Sequence, residues 1–193
     1  MKKKRGYVLF AGWLLGCAFG LYALGANAGK SADNAEAPGL FPASPRVAKA
    51  PLQPTLLLFA HPYCACTRAT LSELERLLAR AKDRPDVWIV LAKAKDGGSS
   101  SIANAARKIP GAHVIEDSDG SEAARFGVHA SGQVLVYGRD GRLAFRGGIT
   151  PARGHEGDSR GGDLALLALT PNSTPESRAS ADVFGCGLAK KEP

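Results

Sequence analysis

An unbroken apolar run followed by an amphipathic segment constrains the fold of this chain most strongly. Four large apolar residues stand in succession at positions 56–59 within Thr55–Ala60, which is typical of a strand in a parallel sheet that is covered on both faces. From about Thr67 to Lys82, apolar residues recur at steps of three and four, which predicts a helix with one apolar face. The residues on that face are Leu71, Leu74, Leu77, Leu78 and Ala81. A buried strand that leads into such a helix favours an α/β fold.

Two cysteines lie where the predicted strand meets the predicted helix, in the sequence His61-Pro62-Tyr63-Cys64-Ala65-Cys66-Thr67. The start of a helix carries unpaired N–H donors and a partial positive charge, and both stabilise an anion. A cysteine placed there can have a pKa well below the free value of about 8.5. We therefore predict Cys64 and Cys66 as the reactive residues, with His61, Pro62 and Thr67 supporting the loop.

The amino-terminal segment, residues 1–28, is predicted to be a signal anchor that crosses a membrane as one helix. Four basic residues at positions 2–5 precede an uncharged, largely apolar run from Tyr7 to Ala28, and this length is close to the roughly 20 residues that span a bilayer. Cleavage following Ala28, after the small-x-small sequence Ala26-Asn27-Ala28, is an alternative. A lipoprotein attached through Cys17 is a further one.

All three alternatives export the rest of the chain, because a basic cluster stays on the cytoplasmic side. The predicted location is therefore membrane-anchored with the domain on the extracytoplasmic (periplasmic) side, or secreted if the segment is cleaved. Disulfides persist there, and Cys64, Cys66 and Cys186 are the exported cysteines. The basic cluster supplies four of the formal charge of +7, and no patch of interleaved basic and aromatic residues indicates nucleic-acid binding.

Composition divides the remainder into three parts. Residues 29–54 are rich in alanine and proline and predict a semi-extended spacer, residues 55–170 form the predicted domain, and residues 171–193 are a tail that carries Cys186. The Asp140-Gly141 pair between two apolar runs is a hairpin signal. Within the domain, strands are predicted at 55–60, 86–93, 113–116, 133–137 and 142–146, and helices at 67–82, 101–108, 121–126 and 163–169.

This order of elements resembles the thioredoxin-like superfamily over about Thr55 to Leu169. The resemblance implies a three-layer α/β/α fold with a mixed central sheet, preceded here by one transmembrane helix. Cys64 and Cys66 stand in the position of the family's redox cysteines, although the family usually has two residues between them. The family also usually carries a cis-proline before the first hairpin strand, where this chain has Val128-His129-Ala130-Ser131-Gly132.

The resemblance implies a membrane-tethered thiol:disulfide oxidoreductase or redox relay that needs no cofactor and acts on protein thiols, protein disulfides or a redox partner protein. One thiolate attacks a target disulfide and the second resolves the mixed intermediate. Cys64, the more exposed position by analogy with the family, is the expected nucleophile. Cys186 is a possible resolving residue, because glycines on both sides of it permit its approach.

Two alternatives stay open at this point. Exported copper-delivery members of the superfamily combine a cysteine pair with a histidine, which implies Cu(I) bound by Cys64, Cys66 and His129; Zn²⁺ also suits such ligands. The second alternative is a thioredoxin-like module that binds a partner without catalysis. The polar, glycine-rich loop from Arg153 to Asp158 either folds over the cysteines or is solvated.

Overall fold

The computed structural model describes residues 2–32, 34, 36–93, 100–170 and 179–188. The chain forms two compact units, residues 1–30 and 31–193. The first unit contains helix α1 (Lys2–Ala28), in which Leu9–Asn27 is long and apolar enough to cross a membrane. An uncleaved anchor and a signal sequence both have this length and composition.

The second unit is built on one six-stranded sheet. Its order is β3-β2-β1-β4-β5-β6. The first three strands of the chain are parallel to one another, and β4 runs antiparallel to both of its neighbours, β1 and β5. The predicted mixed sheet is therefore confirmed. The strands are β1 (Thr55–Ala60), β2 (Asp86–Ala92), β3 (Ala112–Asp117), β4 (Gln133–Tyr137), β5 (Leu143–Gly148) and β6 (Ala179–Ser180).

Helices cover both faces of the sheet, as the three-layer prediction requires. The helices of this unit are α2 (Ala65–Arg80), α3 (Ser101–Lys108), α4 (Ser121–Arg125) and α5 (Arg160–Ala168). Helices α2, α3 and α5 pack with Leu56 and Leu58 on one face, and α4 lies with Leu57 and Phe59 on the other. Because successive side chains of a strand point to opposite faces, an apolar run of this kind supplies both cores at once.

Most predicted elements agree with the structure to within three residues. Strands β1 and β4 and helix α3 have the predicted bounds. Helix α2 begins at Ala65, two residues earlier than predicted, which places Cys66 inside its first turn. Helix α5 begins three residues early because the Ser159 hydroxyl accepts a hydrogen bond from the Gly162 N–H and caps it.

The predicted spacer is in large part a layer of the domain. The Phe41 ring packs edge-on against Phe126 at 5.4 Å and against Tyr137 at 5.1 Å between ring centroids. The backbone N–H of Phe41 also donates to the Gly141 carbonyl at 2.8 Å. Helix α4 has only five residues and leaves part of its face of the sheet uncovered. Residues 37–50 complete that face, with Val47 buried among them.

The predicted tail is also folded where the structure describes it; residues 171–178 and 189–193 lie outside the described part. Strand β6 runs parallel to β5 and extends the sheet, and Val183 is fully buried. The approach is close, because a Cβ atom at Gly148 would lie 2.6 Å from the Asp182 carbonyl oxygen. Glycine in β5 therefore makes room for the carboxyl-terminal segment.

We expect Phe41→Ala to lower the free energy of unfolding by about 2 kcal/mol, since it removes a partly buried ring and two aromatic contacts. Leu52→Ala in the same segment is the matched control, because Leu52 is 82% exposed and should change stability by less than about 0.5 kcal/mol. Chemical denaturation of the two variants measures the difference. A free spacer would make both variants neutral.

Candidate functional site

Cys64 lies at the turn between β1 and α2. Its backbone is extended, with φ −100° and ψ 121°, and it is the residue that directly precedes helix α2. Its N–H donates to the His61 carbonyl at 3.2 Å. The predicted position at the start of a helix is confirmed. The expectation that Cys64 is the more exposed cysteine is wrong, because Cys64 is 2% exposed and Cys66 is 4% exposed.

The residues predicted to support the loop hold its shape. The Thr67 hydroxyl, which is fully buried, accepts a hydrogen bond from the His61 N–H at 3.2 Å. The His61 Nδ1 atom in turn accepts one from the Tyr63 N–H at 3.3 Å. Pro62 is buried as well. These contacts fold the chain back at the end of β1 and direct the Cys64 sulfur toward the carboxyl-terminal segment.

The structure brings Cys186 directly to Cys64. Their Sγ atoms are 2.8 Å apart, whereas a disulfide has an S–S length of about 2.05 Å. Both are free thiols in this structure, and a movement of less than about 1 Å would allow them to bond. Cys186 is an exposed residue, so this pair links a buried residue to one at the surface.

Backbone hydrogen bonds hold the segment around Cys186 in place. The Ser131 N–H donates to the Cys186 carbonyl at 2.8 Å, and the Leu188 N–H donates to the His129 carbonyl at 2.9 Å. Ala130 and Gly187 form an antiparallel bridge between these two bonds. Residues 186–188 therefore pair like a strand with residues 129–131, the loop that precedes β4.

Ser131 is the site residue that the sequence analysis missed. Its side chain is fully buried, and its Oγ accepts a hydrogen bond from the Cys186 N–H at 3.0 Å. Its hydroxyl also hydrogen-bonds to the Cys64 sulfur. The one signal in the sequence was its place in the loop before β4, which the family resemblance put opposite the cysteines.

These contacts set the pKa of Cys64. Burial raises the pKa, but hydrogen bonds from the Cys186 thiol, the Ser131 hydroxyl and the N–H groups of Thr67 and Cys186 outweigh it and lower the pKa to about 7. Each of these groups donates to the thiolate and so favours the charged form. About half of the Cys64 side chains are then thiolate at neutral pH.

The other two thiols of the site stay protonated at neutral pH. Partial burial of the Cys186 thiol against Cys64, followed by the hydrogen bond with Cys64 and the charge of Cys64, raises the pKa of Cys186 to about 11. Burial and then the charge of Cys64 raise the pKa of Cys66 as well. The charge of Arg153 lowers the pKa of both Cys66 and Cys186, and a hydrogen bond from the Gly154 N–H lowers the pKa of Cys66, but neither outweighs burial. Cys64 thus has the lowest pKa of the three thiols, and its two neighbours are protonated where it is half ionised.

The loop from Arg153 to Asp158 reaches the cysteines through its first two residues, whereas residues 154–156 and 158 are exposed, so each of its two predicted placements holds in part. Arg153 and Gly154 are close enough to act on the Cys66 sulfur. The Glu73 carboxylate of α2 accepts a hydrogen bond from the Gly157 N–H. Arg76 then bridges Glu73 at 2.6 Å and Glu156 at 2.8 Å. The helix that begins at the cysteines therefore also fixes this loop.

No protein-family model matches the chain, and no curated protein is similar to it in sequence. An uncharacterized conserved protein from Geobacillus kaustophilus is similar in structure, with 16% identity, a TM-score of 0.56 and coverage of 86% of this chain and 93% of its own. The hypothetical protein SMc02350 from Sinorhizobium meliloti 1021 is also similar in structure, with 16% identity, a TM-score of 0.53 and coverage of 72% of this chain and 80% of its own. A secreted Mycobacterium tuberculosis disulfide oxidoreductase homologous to E. coli DsbE has 18% identity and a TM-score of 0.42, with coverage of 61% of this chain and 80% of its own. The chain has a thioredoxin-like fold.

The thioredoxin-like domain does not assemble the copper ligands that the sequence suggested. Among the residues that the structure describes, no group of three or more His, Cys, Asp or Glu side chains is placed to hold a metal ion. The His129 side chain is exposed, and its carbonyl pairs with Leu188. Cys186 occupies the position beside Cys64 that His129 was expected to take.

We expect alkylation of Cys64 by iodoacetamide to accelerate about tenfold between pH 6 and pH 8, because the rate follows the thiolate fraction of a group with a pKa of about 7. An ordinary cysteine would gain about 75-fold over the same range. Peptide mass spectrometry assigns the rate to each cysteine.

Ser131→Ala removes one hydrogen bond to the thiolate, so it should raise the pKa of Cys64 and steepen this pH dependence. Ser121→Ala is the control, since the Ser121 hydroxyl donates to Asp119 at 2.8 Å outside the site. Identical profiles for wild type and Ser131→Ala would remove Ser131 from the site.

Proposed function

We propose that this protein is a membrane-tethered, extracytoplasmic thiol–disulfide oxidoreductase that works as a relay of three thiols. Cys64 is the nucleophile, and Cys186 and Cys66 are its two alternative disulfide partners. The observation that carries the proposal is the 2.8 Å contact between the Sγ atoms of Cys64 and Cys186. A buried thiol with a pKa of about 7 in contact with an exposed thiol is the arrangement that disulfide exchange needs.

The exchange conserves one disulfide at every step. The Cys64 thiolate attacks a sulfur of a target disulfide, forms a mixed disulfide and releases the other target cysteine as a thiolate. A second thiol of the site, once deprotonated, attacks the Cys64 sulfur and releases the remaining target cysteine. The target is then reduced by two electrons and the relay holds the disulfide. An external dithiol reductant then returns the relay to its thiols and is itself oxidised to a disulfide. If a disulfide donor oxidises the relay instead, the same steps run in reverse and the target gains the disulfide.

The positions of the two partner cysteines suggest different tasks. Cys66 lies in the first turn of α2, 4% exposed, so an external protein reaches it poorly. Cys186 is exposed, and a Cys64–Cys186 disulfide would present one sulfur to a redox partner. Attack of the Cys186 thiolate on a Cys64–Cys66 disulfide forms Cys64–Cys186 and releases Cys66. This step carries the disulfide from the buried pair to the surface.

The proposed location rests on α1 and on the chemistry of the site. Leu9–Asn27 has the length and composition of a membrane span, and the basic residues that precede it favour an outward-facing domain. A relay that holds a disulfide for part of its cycle suits an oxidising compartment. The partners we propose are protein thiols and disulfides, with no cofactor.

The proposal predicts a reversible loss of two thiols as the potential of a glutathione buffer rises from about −300 to −120 mV, the range of known protein couples. The full chain carries Cys17→Ser so that the site cysteines alone are counted, by a gel shift after alkylation. Cys64→Ser should abolish the transition. His129→Ala is the matched control and should leave the transition where it is.

A site whose thiols never form a reversible disulfide over that range would contradict the redox proposal and leave the binding-module alternative. The copper alternative has its own outcome: anaerobic Cu(I) would bind the wild-type chain tightly and His129→Ala would weaken that binding. Under the redox proposal, His129→Ala changes neither measurement.

The location predicts that the membrane-associated protein keeps α1. Intact-mass spectrometry of that protein should give the mass of the uncleaved chain, and a membrane-impermeant maleimide added to intact cells should label Cys186. A mass that begins at residue 29 would show cleavage following Ala28. Labelling of Cys186 only after lysis would place the domain on the cytoplasmic side.

A further inference from the structure

The carboxyl-terminal segment lies along a track, formed by the backbone of Arg146, Gly148 and residues 129–131. This track accepts an extended chain and positions one cysteine. The main chain of the segment meets the domain at three successive places. The Ala181 N–H donates to the Arg146 carbonyl at 3.2 Å, the Asp182 carbonyl accepts from the Gly148 N–H at 3.2 Å, and residues 186–188 pair with residues 129–131. Such main-chain contacts do not depend on which side chains the bound segment carries.

One position in the track does depend on the side chain. A Cβ atom at residue 185 would overlap the carbonyl oxygen of Ser131 and lie 2.7 Å from its carbonyl carbon. Both atoms belong to the backbone of a loop that is itself held by the Gly132 N–H, which donates to the Phe59 carbonyl at 2.7 Å. The loop therefore has little freedom to withdraw, and only glycine fits directly before the cysteine.

The cysteine that follows is placed for exchange with Cys64. The Ser131 backbone N–H and Oγ bind the carbonyl and the N–H of residue 186, at 2.8 and 3.0 Å. This pair of contacts fixes the orientation of the residue and brings its sulfur to 2.8 Å from Cys64. Any chain with the sequence Gly-Cys that binds here would present its sulfur in the same way.

We propose that this track is the docking surface for a redox partner, which binds as an extended segment with glycine immediately before its reactive cysteine. The inference rests on the proposed function. The chain's own residues 183–188, Val-Phe-Gly-Cys-Gly-Leu, occupy the track in the resting state and compete with the partner. Cys186 thus has two tasks: it is a thiol of the relay and it holds the place of the partner cysteine.

The proposed geometry assigns Cys66 its role while a partner is bound. The Cys64 thiolate attacks the partner's disulfide at the docked cysteine, and the partner's second cysteine leaves as a thiolate. Because the partner then fills the track, Cys186 is displaced, and Cys66 is the thiol beside the Cys64 sulfur. Its thiolate forms Cys64–Cys66 and releases the docked cysteine. An external dithiol reductant returns the pair to the reduced state.

The test uses full-length protein with Cys17→Ser, Cys66→Ser and Cys186→Ser, so that no thiol of the site can resolve the adduct, and Cys64 is first converted to a mixed disulfide with thionitrobenzoate. The peptide Val-Phe-Gly-Cys-Gly-Leu and the same peptide with alanine before the cysteine are then added, and release of thionitrobenzoate gives the rate of capture by Cys64. Each rate is divided by the rate of that peptide with free Ellman's reagent. We expect the glycine peptide to react about tenfold faster or more.

Gly185→Ala in the same protein is the second variant. It should exclude the chain's own segment from the track and accelerate capture of the glycine peptide, because it removes the competitor. Phe184→Ala, a change of the half-buried neighbour, is its control and should accelerate capture less.

Equal normalised rates for the two peptides, or no acceleration by Gly185→Ala, would overturn the docking proposal while leaving the relay intact. The relay itself fails separately, if the activated Cys64 does not exchange with a simple dithiol at all. The two proposals are therefore distinguished within one assay.

Discussion

The low pKa of Cys64 depends on the pairing of residues 186–188 with the loop at 129–131. Cys64 is buried, and burial by itself raises the pKa of a thiol. Two of the groups that reverse this effect, the Cys186 thiol and its N–H, belong to the carboxyl-terminal segment. A third, the Ser131 hydroxyl, also accepts a hydrogen bond from that N–H. The segment thus lowers the pKa of the thiol that it also covers.

The start of α2 contributes less to this thiolate than the sequence suggested. The Thr67 N–H is the helix-derived donor to Cys64, and it ranks after the Cys186 thiol and the Ser131 hydroxyl. The helix contributes more by holding a neighbouring loop in place. Glu73, two turns further along, holds the loop whose Arg153 and Gly154 act on Cys66. One helix therefore places two of the three thiols and the cation beside them.

Local signals in the sequence were enough to predict the sheet, most helices and the cysteine pair. The run at 56–59 and the leucine spacing of α2 report burial directly, because each pattern follows the period of its element. Residues 37–50 and the described tail lack such a period, and their structure comes from backbone pairing and packing against the sheet. Ser131 could not be singled out for the same reason: its role comes from two neighbours that are far away in the chain. The glycines around Cys186 were the only local sign that the tail could approach the site.

The most direct measurement is to identify which cysteines are joined when the full-length protein is oxidised under mild conditions. Non-reducing peptide mapping by mass spectrometry shows this without any substitution. We predict that the peptide containing Cys186 is linked to the peptide that contains Cys64 and Cys66, and that fragmentation places the bond on Cys64. A disulfide confined to Cys64 and Cys66, with Cys186 free under every oxidising condition, would contradict the account.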